Sequence, residues 1–489
     1  MSNVSLYPGP TTQELKERFV GQLLQDVDGP AAIIDTAVAQ RNCALMLDAA
    51  KALGVKFRAH VKTHKTTELT RFQVGNGSDP VNLVVSTLIE LEQLVPFLLE
   101  SKENGRAVNT IYGLPVQPSS IKRLAAIGKT LGAGSISVLV DNPEILPFLG
   151  KYKQLCGHTC GIYIKLDTGY NRAGIAPESA QLKELLHAIL EHETKSPSEI
   201  KLEGFYSHMG TSYGSDSISQ ALDWLVQEID QSQVAADLAK SIFPDTRRFV
   251  ITVGATPTTT AAQNLTSSEP SSSSGPDSGS DSANAAVVRT KELIERVKRT
   301  HDVELHAGAY TTLDLQQLAA HARSRESNLS FNDIALRVLV EVASLYPHRS
   351  KPEALISCGS LGLGREPCRS YPGWGVVTPW SSLGGSQNDE QKQEQEQGQG
   401  QGQNGWYDPE DKDRTGWIVN RISQEHGVLG WEGPREKMRQ LQIGEKLLLW
   451  PNHCCIAGAG YGYYLVVDST RPGIEKDRVV DVWTRWRGW

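Results

Sequence analysis

Two architectures in tandem are predicted: a parallel α/β barrel of the (β/α)8, TIM-like kind, then a C-terminal, mainly antiparallel β domain. The first rests on a count and a pattern. Eight short apolar runs (57–61, 82–86, 109–113, 136–140, 161–166, 203–208, 249–253 and 302–306) alternate with helical periodicity, as in Leu88–Leu98, Ile121–Leu131, Leu182–Leu190 and Ile218–Ile242. Their apolar character is continuous, as strands covered on both faces require. An open doubly wound sheet shares this count and is the competing architecture; the barrel is preferred. The β domain rests on a change of rhythm after about residue 330. There Val338–Tyr346, Ala354–Ser357, Trp417–Ile422, Lys446–Trp450 and Tyr463–Val467 read as strands with no long helical period between them.

Ahead of the barrel, residues 1–55 are expected to supply an amphipathic helix over 11–27, a strand Ala31–Asp35 and a helix Thr36–Leu53 that Gly54 ends. The barrel is assigned 56–330 and the β domain 331–489. A Ser-, Gly- and Pro-rich run at 263–286 and a Gln-, Glu- and Gly-rich run at 385–404 are expected to be disordered surface insertions. The aromatic close, Val482–Trp489, is expected to be packed.

A chain of 489 residues with 39% apolar content can bury more than one core. Its net charge of -7 gives no basic footprint, which argues against nucleic acid as a partner. No apolar run approaches the roughly 20 residues that span a bilayer. Met1–Pro10 lacks the plan of a secretory signal, so a cytoplasmic protein is expected. Seven cysteines do not make a disulfide framework in a chain of this length. Cys156, His158 and Cys160 have no second pair nearby and read as ordinary thiols around a histidine.

In a parallel barrel, reactive groups lie at the C-terminal ends of the strands. The first end presents Lys62 within Phe57–Lys65, where desolvation and neighbouring cations favour a neutral, nucleophilic amine. The fifth presents Arg172 in a glycine-framed turn, and the sixth Tyr206, His208 and Tyr213. The seventh and eighth, Gly254–Thr258 and His306–Tyr310, are small loops with hydroxyls and free N–H groups, which suit an anion. A lysine, an arginine and two phosphate-type loops on one rim together suit pyridoxal phosphate. In the β domain, His453 and Cys455 lie two apart in an expected extended segment. They could grip one metal ion, zinc being favoured by an imidazole with a thiolate; a core histidine beside apolar thiols is the competing reading.

The chain resembles the eukaryotic zinc-dependent D-serine dehydratases, fold-type III pyridoxal phosphate enzymes in the superfamily of alanine racemase and D-threonine aldolase. The resemblance is carried by His60–Lys65, Asp167-Thr168-Gly169 with Arg172-Ala173-Gly174, His208–Tyr213, Gly254–Thr258, Glu304–Gly308, Ser423–Gly427 and Pro451–Cys455, in family order. It implies an alanine racemase-type barrel and a lyase that converts D-serine to pyruvate and ammonia. Lys62 would be the Schiff-base lysine and Cα base, and Arg172 would face the cofactor's phenolate. Tyr206, His208, Tyr213, Thr256, Gly308 and Ala309 would surround the cofactor. His453 and Cys455 would hold zinc, which activates the β-hydroxyl, and the protein would be a homodimer. Two departures stand out: Ala59 replaces a usual proline, and Ala309 a usual asparagine, leaving its backbone N–H to serve. The alternatives are a D-threonine aldolase-type lyase on β-hydroxy D-amino acids, which Cys455 disfavours, a racemase, which needs no metal, and a non-catalytic pyridoxal phosphate carrier, which the β domain disfavours.

Overall fold

A computed structural model describes residues 9–244, 246–266, 279–379 and 406–489. The chain divides into two compact units, one formed by residues 40–311, 320–329 and 486–489, the other by 1–39, 312–319 and 330–485.

After β1 (Ala31–Asp35), the next eight strands close into a parallel barrel: β2 (Lys56–His60), β3 (Val81–Val85), β4 (Val108–Pro115), β5 (Ile136–Val140), β6 (Cys160–Lys165), β7 (Ile200–Tyr206), β8 (Val250–Val253) and β9 (Asp302–Ala307). The β2–β9 pairing, with Phe57 opposite Leu305, completes the ring and excludes the open sheet. Val84, Ile111, Leu139, Tyr163 and Tyr206, one from each of β3 to β7, fill part of its interior. Below them Arg58 and Glu304 meet in the dry interior, and Asn82 and Asn109 complete their hydrogen bonding.

The helices that cover the barrel start where short polar side chains can cap them. Thr66, Thr87, Ser179 and Ser217 each accept an N–H from the first turn of the helix that follows. The 263–286 expectation needs correction. Ala262–Leu265 forms a 3-10 turn and a helix runs Gly279–Lys298, with Ala286 buried, because Ala283, Ala285 and Ala286 favour helix over coil. Residues 267–278 and the 385–404 run lie outside the described residues.

The second unit is a nine-stranded sheet: β1 with β10 (Leu336–Tyr346), β11 (Glu353–Ile356), β12 (Gly375–Val377), β13 (Gly416–Ile422), β14 (Gly427–Glu432), β15 (Lys446–Pro451), β16 (Tyr463–Val467) and β17 (Asp481–Thr484). Its order is β11-β14-β13-β12-β15-β10-β1-β16-β17, and a further β10–β11 pairing closes the first six into a ring. Every pair is antiparallel except β1–β16. Residues 9–39 therefore belong with this sheet, not with a lead-in to the barrel: Ile33 and Ile34 are wholly buried where β1 lies between β10 and β16. The expected 11–27 helix is Thr12–Phe19, which ends before Gly21 (φ 93°), and a 3-10 turn follows at Leu24–Asp26. Leu15 and Phe19 pack with Leu24, Leu465 and Val482 in one core cluster. Of the aromatic close, Trp483 and Trp486 are buried and Trp489 is exposed.

Candidate active site

Two residues past the end of β2, half-buried Lys62 lies in a turn that its neighbours hold rigid. Lys65, at φ 51°, closes the turn by donating its N–H to Val61 O (2.9 Å). His64 is pinned by Gln73 Oε1 (2.9 Å) and by the N–H of Thr66 (3.1 Å), so its role is structural. Lys65 Nζ pairs with Glu90, a fully buried carboxylate, at 2.9 Å. That partner leaves Lys62 as the lysine of this turn suited to nucleophilic work.

Imidazoles surround Lys62. Burial, reinforced by the Lys62 charge, holds His60 and His208 well below the ordinary imidazole range; His306 is depressed by burial and then by Lys165, Arg58 and Lys62. All three are neutral at neutral pH. His208 Nδ1 donates to Gly254 O (2.8 Å), so its Nε2 carries a lone pair. His306 stacks on Tyr206, centroids 4.3 Å apart and planes 11° off parallel, and its Nε2 is buried with no hydrogen-bond partner among the described residues. Tyr213 lies against His208, ring centroids 6.5 Å apart. Arg172 is exposed, its guanidinium over the Tyr170 ring, yet its charge still reaches His208.

The seventh and eighth strand ends meet through backbone. Gly254 has φ 147°, and a Cβ there would lie 2.2 Å from His306 O, so only glycine allows this approach. At Gly308 a Cβ would come within 2.9 Å of His60 O. The Ala309 N–H, expected to be free for an anion, donates to Thr256 Oγ1 (3.1 Å), which ties the two loops together. A flat anionic cofactor suits this rim. The orphaned His306 Nε2 and the cations Lys62, Lys165 and Arg172 fit it.

Two ionisable residues here were absent from the sequence expectations as site groups. Lys165, at the end of β6, is brought down to about 8 by burial, with Arg172 adding to the effect and Glu228 opposing it. Burial lifts Glu228 to about 7. Lys165 was readable as a strand-end cation beside Arg172. Glu228 lies mid-helix in Ile218–Ile242, and nothing in its sequence context marks it.

The second unit places His453 and Cys455 side by side, though not as alternate residues of a strand. β15 ends at Pro451, His453 is extended (φ -137°), and a helix runs Cys454–Ala459. The small residues Ala457, Gly458 and Ala459 let the chain coil directly after the strand. Cys454 is buried, but its thiol lies against that of Cys455 instead of pointing the opposite way as expected, because the chain coils into a helix here and strand alternation no longer applies. Burial alone would lower His453; the adjoining Cys455 sulfur, then Asp314 and Glu366, outweigh it and raise the imidazole to about 9. His453 Nδ1 is buried without a hydrogen-bond partner among the described residues. No group of three or more His, Cys, Asp or Glu suited to a metal ion occurs among those residues. The pair nonetheless fits a cation: an orphaned nitrogen and a polarised thiol, with two carboxylates nearby.

Comparison with known proteins assigns the chain to a group. It is 32% identical to D-serine dehydratase of Schizosaccharomyces pombe, across 99% of this chain and 97% of that one. The chain belongs to the D-serine dehydratase family. D-serine dehydratase of Saccharomyces cerevisiae is 29% identical, over 97% of this chain and 100% of its own. Residues 335–467 match the serine dehydratase domain family and residues 34–267 the alanine racemase N-terminal domain. Among solved structures, D-threo-3-hydroxyaspartate dehydratase from Delftia sp. HT23 superposes with a TM-score of 0.66 at 22% identity, over 96% of this chain and 100% of that one, which shows the shared fold. Another structure of that dehydratase is described as a cysteine-to-alanine mutant in the metal-free form. The alanine racemase-type barrel expected from the dehydratase resemblance is therefore present, in a lyase family. Among the described residues no helix is long and apolar enough to cross a membrane.

Proposed function

We propose that this chain is a pyridoxal phosphate- and zinc-dependent lyase that eliminates water from D-serine, the released aminoacrylate then taking up a water to give pyruvate and ammonia. The observation that carries the proposal is Lys62 among three imidazoles that burial keeps neutral. The names of the family relatives support the reaction class.

Lys62 is assigned as the residue that binds the cofactor's carbonyl carbon and, once substrate has displaced it, takes the proton from the substrate's Cα. Pyridoxal phosphate supplies the conjugated ring that spreads the charge left behind. Arg172, charged at every working pH, is assigned to the ring's phenolate oxygen. Tyr206, His208 and Tyr213 would flank the ring, and Thr256, Gly308 and Ala309 its phosphate. Neutral imidazoles suit the site, because a charged ring beside Lys62 would oppose a second cation. His453 and Cys455 are assigned as ligands of zinc, which would supply a Lewis acid for the β-hydroxyl; the metal-free cysteine mutant of the Delftia dehydratase supports that assignment. A homodimer and a cytoplasmic setting belong to the same reading.

The test is a product assay on cofactor-loaded protein with added zinc, offering D-serine, D-threonine and D-alanine separately. Pyruvate and ammonia from D-serine, lost on chelation and restored by zinc, are expected. Glycine and acetaldehyde from D-threonine without any keto acid would instead make the protein an aldolase. L-Alanine from D-alanine alone would make it a racemase.

A further inference from the structure

We propose that Asp314 is a positioning residue for the His453–Cys455 pair, fixing the backbone between the two donors and placing a buried negative charge beside them. The inference rests on the metal reading given under the proposed function. Asp314 is wholly buried. Its Oδ2 accepts the N–H of Cys454 at 2.8 Å, and its Oδ1 accepts the N–H of Gln317 at 2.9 Å, capping the helix Leu315–Leu318. Cys454 is the single residue between the donors, so this bond sets the plane of the peptide joining it to His453. It thereby sets the direction in which both flanking side chains leave the chain.

Simple anchoring of the loop does not require a charge at this position. Asn452 is already held by the N–H of Gln316 (3.1 Å to its carbonyl) and by the Tyr371 hydroxyl (2.6 Å to Oδ1). Its own amide donates to Glu366 O (2.9 Å) and Gly373 O (2.8 Å). A neutral acceptor could add one more anchor at far smaller cost than a buried carboxylate, which no lysine or arginine offsets among the described residues. Burial opposes the ionised form of Asp314 and the neighbouring His453 favours it; a cation held by the pair would favour it further. Both oxygens already accept backbone N–H groups, which suits a carboxylate that orients the donors rather than one that ligates.

The test measures zinc affinity of the full-length, cofactor-loaded protein by competition with a chromophoric chelator. Asp314→Asn, of equal size but uncharged, is expected to weaken zinc about 10- to 100-fold, with the visible cofactor absorbance unchanged. Asp314→Ser, which retains a helix-capping oxygen, is expected to do the same and carries the test if the amide variant does not fold. Asp333→Asn is the control, because Asp333 is also buried and caps Ser330 N (2.8 Å) in the same unit; it should lower the melting temperature and leave zinc affinity alone. Zinc affinity within twofold of the unaltered protein in both Asp314 variants would overturn the inference. If His453→Ala and Cys455→Ala also left zinc binding unchanged, the metal reading itself would fall, and this inference with it.

Discussion

Arg58 Nε donates to Glu304 Oε1 at 2.5 Å with both side chains all but excluded from water. Arg58 also reaches Leu83 O and Asn109 Oδ1, and Glu304 accepts from Asn82, so hydrogen bonds tie this buried pair across β2, β3, β4 and β9. Removing one partner strands the other charge in the barrel interior. Glu304→Ala is expected to cost about 3–5 kcal/mol in denaturant unfolding. Replacing both residues with apolar ones of similar volume should cost much less, and the double-mutant comparison checks it.

Lys62 and Lys65 are three residues apart in one turn, and among the described residues only Lys65 has a carboxylate partner. Lys62→Ala should abolish the visible absorbance of lysine-bound cofactor and all turnover. Lys65→Ala should keep the absorbance and lose stability, because Glu90 would then be buried without its cation. Absorbance surviving in the first variant and vanishing in the second would reverse the assignment.

Gly254 cannot carry a side chain without moving the backbone of His306. Gly254→Ala is expected to loosen cofactor binding at least tenfold, since the same residue's carbonyl holds His208 and its neighbours form the proposed phosphate loop. Fluorescence titration of cofactor-free protein checks this.

In the metal-free protein His453 is lifted to about 9, so near neutrality it holds a proton that zinc must displace. Apparent zinc affinity should rise with pH by about tenfold per unit for each proton released, levelling off above about 9. Calorimetry in buffers of different ionisation enthalpy counts the protons. The same shift gives the sign for stability without metal. A folded value above the ordinary histidine value near 6.5 stabilises fully below that pH, and the contribution is lost as pH rises through about 9.

The barrel was legible because its short β-type runs alternate with segments of helical period; all eight expected runs overlap β2 to β9, although Arg58, Glu304 and other polar residues interrupt several of them. The sheet unit was less so. β12 has three residues, and β14 contains two glycines, so neither shows an alternating pattern. The partners of β1 lie far along the chain, beyond any local signal. At the site, rim position alone pointed to Lys62, Arg172, Tyr206 and His208. The closeness of His453 to Cys455 was expected from strand alternation, whereas the structure achieves it through a strand end running into a helix. Asp314 and Glu228 act through distant partners, so their significance is visible only after folding.

The parallel alignment of β1 with β16, Ile33 against Leu465, has a consequence for synthesis. Emerging early from the ribosome, β1 must wait for partners made hundreds of residues later, while the intervening barrel strands can pair as they appear. An apolar ribbon left without neighbours for that interval invites association with other nascent chains. Translation pauses and holdase chaperones should therefore govern the yield of this sheet more strongly than that of the barrel.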